Sequence, residues 1–106
     1  MADALNRMWV RFLPEIENRL AVVEDAARVL ASSGLSADQR DSAHQAAHKL
    51  AGILGTFGLP RGTELARQAE HLLADGQSIS DHPVVSASEL VAWLTELGAL
   101  IHSRAS

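Results

Sequence analysis

The chain has 106 residues, of which 47% are hydrophobic, 4% aromatic and 21% charged. A chain of this length is expected to form one domain spanning residues 1–106, because cores divide only beyond roughly 250 residues, and an aliphatic, aromatic-poor composition favours helices. The net charge of -4, with Lys49 the only lysine, leaves no basic footprint for a phosphate backbone, so no nucleic-acid partner is expected; the lack of cysteine excludes disulfides and thiolate metal sites.

The N-terminus opens on Asp3 without a basic segment leading into an apolar one, so it does not read as a signal peptide. No apolar run approaches the roughly 20 residues needed to cross a bilayer. The expectation is a cytoplasmic monomer that does not engage a membrane.

From Leu5 the apolar residues fall at Met8, Trp9, Phe12, Leu13, Ile16, Leu20, Val23, Ala27 and Leu30, in the steps of three and four that one helical face requires. Pro14 lies inside this pattern. It removes a hydrogen bond to Val10, so a kink or break near Leu13 is expected, giving a short first helix and a longer one. Trp9 and Phe12 should plug one end of the core, and Ser32-Ser33-Gly34 supplies the stop.

Ser36 with Gln39 three residues on fits a capping box, which starts the next helix at Ala37 and runs it to about Gly58. Its apolar face carries Ala43, Ala46, Ala47, Leu50, Ile53, Leu54 and Phe57. At about 100° per residue the opposite face carries His44, Gln45, His48, Ala51, Gly52 and Gly55. Pro60 suits the first turn of a third helix that buries Leu65, Ala66, Ala69, Leu72 and Leu73 and ends before Asp75-Gly76. Gln77 to His82 reads as a loop, and Pro83 as the start of a last helix with Ala87, Leu90, Val91, Leu94, Leu97 and Ile101 inward. Residues after His102 should fray. The fold class is therefore all-α, an antiparallel four-helix bundle running up-down-up-down with a short or kinked N-terminal helix.

His48 lies about 180° from the Leu50/Leu54 seam and should be at least partly exposed, with Gly52 and Gly55 along its own face. Each glycine inside a helix costs about 1 kcal/mol relative to alanine, so two on one face imply a gain from a bare backbone. Either a partner approaches closely beside His48, or a neighbouring helix of the same chain does. His44 and His48 have the i, i+4 spacing of a zinc pair, but Gln45-Ala46-Ala47 between them lacks the metalloprotease glutamate and no further ligands cluster there; no metal is expected.

The run His48-Lys49-Leu50-Ala51-Gly52, followed by Gly58, Leu65 and Glu70, resembles the histidine-containing phosphotransfer domain, whose motif reads H-x-L-K-G with a downstream glycine and a leucine-rich second helix. The similarity covers roughly residues 43–73, and the helix count extends it to most of the chain. It implies a phosphorelay intermediate of two-component signalling. His48 would accept a phosphoryl group and exchange it with the aspartate of a response-regulator receiver domain or a hybrid histidine kinase. The receiver brings its own Mg2+, and the domain itself would be a carrier with no cofactor rather than an independent catalyst. His44, Gln45, Ala51, Gly52 and Gly55 would rim the docking surface.

One position departs from the motif. The family's lysine three residues after the histidine is Ala51 here, so the neutralising charge would have to come from Lys49, displaced by about 100°, or from Arg67 on the next helix. Some family members also carry a residue on that adjacent helix that hydrogen-bonds the imidazole. Glu70 is the matching position, with Gln68 beside it. A carboxylate there would hold the Nδ1 proton and leave Nε2 to attack; a solvated surface charge is the other reading of Glu70. Two alternatives to the relay stay open: a module that docks a receiver or kinase without relaying phosphate, favoured by Ala51, and an unrelated structural bundle.

Overall fold

The structure, a computed structural model, describes residues 2–105. It consists of α1 (Ala2–Ser32), α2 (Ala37–Thr56), α3 (Pro60–Ala74), α4 (Gly76–Asp81) and α5 (Pro83–Ala105), with no strand among the described residues. The four long helices pack in a ring in which α1 touches α2 and α5, and α3 touches the same two. Each neighbouring pair is antiparallel. Trp9 and Phe12 near the start of α1 meet Phe57 past the end of α2, Gly55 faces Thr63, Arg61 reaches Glu96, and Arg104 at the end of α5 donates to Asn6. The up-down-up-down topology follows, and the 47 Å long axis of the molecule matches the length of the 31-residue α1 at about 1.5 Å per residue.

Helix α1 is continuous through Pro14, so the expected break near Leu13 does not occur. Val10 and Pro14 both lie on the exposed face, where water can take the Val10 carbonyl that loses its donor. Trp9 and Ile16, buried on the other face, anchor the segments before and after the proline. The capping box of α2 is present: Ser36 Oγ accepts from the Gln39 backbone N–H, and Gln39 Oε1 accepts from the Ser36 N–H. At its other end Gly58 takes a positive φ of 69°, and the Leu59 N–H bonds back to the Leu54 carbonyl, closing the helix as a left-handed glycine permits.

The stretch from Gln77 to His82, expected as a loop, contains α4 instead. Ile79 is buried and its N–H bonds the Asp75 carbonyl, so one apolar anchor is enough to wind the connection into a turn and a half. The frayed end expected after His102 is also corrected. Helix α5 runs to Ala105, because the Arg104 guanidinium stacks 5.1 Å over the Trp9 ring and bonds Asn6 Oδ1 at 2.9 Å; Ser106 lies outside the described residues.

One composition-based expectation needs amending. Helix α5 contains an 18-residue window of mean hydropathy 1.5, long and apolar enough by that measure to cross a membrane. In the bundle Leu90, Leu94, Leu97 and Ile101 face the core, while Val84, Val85 and Val91 remain exposed.

The core joins all four long helices. Leu54 is fully buried, and Gly62 is small enough for Leu54 and Leu97 to close over it, each within 3.5 Å of where a side chain would begin. Leu54→Ala is expected to lower unfolding stability by about 2–5 kcal/mol in a denaturant titration, because the cavity is enclosed by three helices. A loss below about 1 kcal/mol would contradict that packing. On the rim, Arg61 holds both oxygens of Glu96 at 2.6 and 2.9 Å and keeps that carboxyl below its usual range.

Candidate functional site

Helix α2 is covered on two sides, by α1 and α3, which buries a wide arc and leaves one outward ridge. His48 stands on that ridge with 70% of its side chain exposed. Gly52 and Gly55 continue the ridge, and both are exposed. A side-chain carbon added at Gly52 would meet nothing within 4 Å, and one at Gly55 would meet only Thr63 Oγ1, at an ordinary 3.7 Å. Packing within this chain therefore gives no reason for either glycine, which removes the intramolecular account of their bareness.

Ala51 does not share this surface. Its exposure is 5%, and it belongs to the core rather than to the docking rim expected for it. Ala51 is only about 40° from Ala47 and 60° from Leu54 around the helix, so the arc buried under two neighbours includes it. Gln45 is exposed and bonded to Asp41, one turn back.

The imidazole of His48 is not free. Its Nδ1 lies 2.7 Å from Oε2 of Glu70, one of the positions that α3 brings alongside α2 in the antiparallel hairpin. An ionised carboxylate can only accept, so Nδ1 carries the proton and donates. The lone pair is then on Nε2, the nitrogen away from Glu70. Glu70 is 18% exposed and its Oε2 also lies 3.9 Å from Nε2 of His44. Gln68, the other candidate on this helix, does not reach the imidazole: its Oε1 is buried without a partner, beside a groove of about 610 Å³. That groove is lined by Gly55, Thr63, Arg67, Gln68 and His71 among others, so it lies between α2 and α3 next to the ridge.

On the α1 side, His48, Lys49 and Gly52 line a second open depression of about 480 Å³ together with Phe12, Glu15 and Arg19. Lys49 and Arg67 are therefore on opposite flanks of the ridge. Among the described residues no hydrogen bond or ion pair holds either one. Arg19 and Glu15 escaped the sequence reading. Their i, i+4 ion pair, at 2.8 Å, is readable from spacing, but nothing local to α1 says that it faces His48. Among the described residues no group of three or more histidine, cysteine or acidic side chains could hold a metal ion.

The helical bundle thus presents the His48 imidazole, tethered to Glu70 through Nδ1, on an open ridge. The Hpt domain family model matches residues 7–102. The chain is also 38% identical over 92 residues to Protein RcaC of Microchaete diplosiphon, in an alignment covering 87% of this chain and 14% of RcaC. No solved structure matches it. The chain belongs to the Hpt domain family. Members of this family carry phosphoryl groups in two-component phosphorelays and interact with receiver domains and histidine kinases.

Proposed function

We propose that His48 is the phosphoacceptor and that the chain exchanges its phosphoryl group with the aspartate of a receiver domain. The supporting observation is the 2.7 Å bond from Nδ1 to Glu70, which leaves the exposed Nε2 as the attacking atom. In the step from a receiver, the Nε2 lone pair forms the N–P bond as the P–O bond to the aspartate breaks, and the carboxylate leaves with that electron pair. The ring, still protonated at Nδ1, gains a positive charge, which the Glu70 carboxylate stabilises directly. The transferred group carries several negative oxygens, so positioning and neutralisation dominate the barrier. Lys49 and Arg67, one on each flank, are the residues of this chain that would neutralise it in place of the motif's lysine. Mg2+ belongs to the receiver's own aspartate site and calls for no ligand here.

In this reading the residues 1–106 act as one cytoplasmic, monomeric domain, with His44, Gln45, Gly52 and Gly55 at the docking surface. The test is incubation with a phosphorylated receiver, followed by analysis for acid-labile, base-stable label on this chain. Absence of label with a competent receiver would leave a docking module that does not relay, the reading that Ala51 favours. Glu70→Ala should slow label acceptance by about tenfold through loss of ring orientation and charge stabilisation, and Glu70→Gln, which keeps an accepting oxygen, should recover part of it. Equal rates for all three proteins would remove Glu70 from the mechanism without touching His48.

A further inference from the structure

His44 has no part in the transfer step as described, only a place on the docking surface, yet it lies against the same carboxylate oxygen as His48. Its Nε2 is 3.9 Å from Oε2 of Glu70, and that oxygen also takes the Nδ1 proton of His48 at 2.7 Å. The two imidazoles lie one turn apart on α2 and reach the same atom from α3. His44 is 32% exposed, so solvent protons reach it, while Glu70 is the more enclosed member of the three.

The other charged groups nearby are committed elsewhere or stand off. On α2, one turn back, Arg40 Nη1 donates to the Leu73 carbonyl at 2.9 Å, and Asp41 accepts from Gln45. On α3, Arg67 and His71 line the groove between α2 and α3, whose lining does not include Glu70, and Asp75 follows the end of the helix. From α1, Glu15 and Arg19 face the depression that holds His48 rather than His44. Glu70 is thus the group through which the charge on His44 is felt at His48.

We propose that His44 is a positioning residue that acts through Glu70: the proton on His44 competes for the carboxylate oxygen that holds the His48 ring. With His44 neutral, Oε2 is given to His48 Nδ1–H, the ring is oriented, and the positive charge that develops during N–P bond formation is stabilised. With His44 protonated, the same oxygen is drawn to a second cation, and a like charge stands beside the reacting ring. Acceptance of phosphate by His48 therefore falls with decreasing pH more steeply than ionisation of His48 alone dictates. Two groups that share one partner titrate as a coupled system rather than independently.

This inference rests on the phosphoacceptor reading for its consequence but not for its first test. That test is an imidazole nitrogen NMR titration of the unphosphorylated full chain, its His44→Gln variant and its Glu70→Gln variant. The spectra also report whether each variant is folded. In the parent chain the His48 ring signals should follow two inflections, the second coinciding with the His44 signals. In His44→Gln they should follow one, and in Glu70→Gln the second should shrink or vanish. Superimposable His48 titrations in the parent chain and His44→Gln overturn the proposal.

The second measurement is the initial rate of label acceptance from a phosphorylated receiver between pH 5.5 and 8. The parent chain should lose several-fold more of its rate over this range than His44→Gln does. Parallel profiles, or a shallower fall in the parent chain, overturn the proposal. A chain that takes no label at any pH would instead defeat the phosphoacceptor reading, and the NMR titration would still decide the coupling.

Discussion

His48→Gln is expected to take up no label from a phosphorylated receiver while remaining folded. Glutamine offers no nucleophilic nitrogen, since its amide lone pair is delocalised, so the loss should be complete rather than partial. The fold has little reason to respond. His48 is 70% exposed, its side-chain hydrogen bond among the described residues is the one to Glu70, and a glutamine NH2 can donate to that carboxylate. A surface change of this kind stays within about 0.5 kcal/mol, so the thermal midpoint should move by no more than a few degrees. Label that persists on the variant would move the acceptor to another residue. His44 would then be the first to examine, because it borders the same carboxylate.

Gly52→Leu should give a chain at least as stable as the parent and a transfer reaction slower by about ten- to a hundredfold. Gly52 sits mid-helix with open space where a side chain would start, so the first carbon of a larger residue meets no clash, and the change removes the glycine's conformational penalty of about 1 kcal/mol. For a chain of this size that is a rise of a few degrees in the thermal midpoint. The same side chain stands one turn from His48 on the exposed ridge, where the receiver must bring its aspartyl phosphate in line with Nε2. A displacement of about 1 Å there is enough for a hundredfold loss. Gly52→Ala should be stabilised equally and impaired less. If Gly52→Leu transferred phosphate at the parent rate, the docking surface would have to lie elsewhere than the ridge. If it were instead destabilised, the open space beside Gly52 would be in error.

These two substitutions separate stability from function because the ridge contributes little to the core. Leu50 and Leu54 bind α2 into the bundle on its inner face, and His48 and Gly52 are left outside. The proposed docking of a partner would account for a feature that local energetics disfavours, a pair of helical glycines where an added side-chain carbon would meet nothing at Gly52 and only Thr63 Oγ1, at an ordinary 3.7 Å, at Gly55.

The sequence by itself determined the helical bundle, the start of α2 at its capping box, most of the core face of each long helix and the exposure of His48; Met8 and Val91, read as inward, are exposed. All of these follow from periodicity and from short-range hydrogen bonding, which depend on residues three or four apart. The pattern beginning at His48 also sufficed for the family. Where such local rules met packing, they failed in identifiable ways. Pro14 was tolerated because its lost bond faces solvent, and Ile79 wound a short helix because it found the core. Ala51 was buried because α2 has two neighbours rather than one, and Arg104 held the last turn of α5 because Trp9 lay beneath it.

Only the tertiary structure decided the surroundings of His48. Glu70 could be named from the resemblance, but whether it was a solvated charge or a partner of His48 depended on the register of α3 against α2, which a one-residue slip would change by about 100°. The same register set His44 against the shared oxygen, and the packing of α1 brought Arg19 and Glu15 to the edge of the site. Contacts between residues 22 or more positions apart are fixed by how the helices seat on their common core, and no pattern along one helix encodes that.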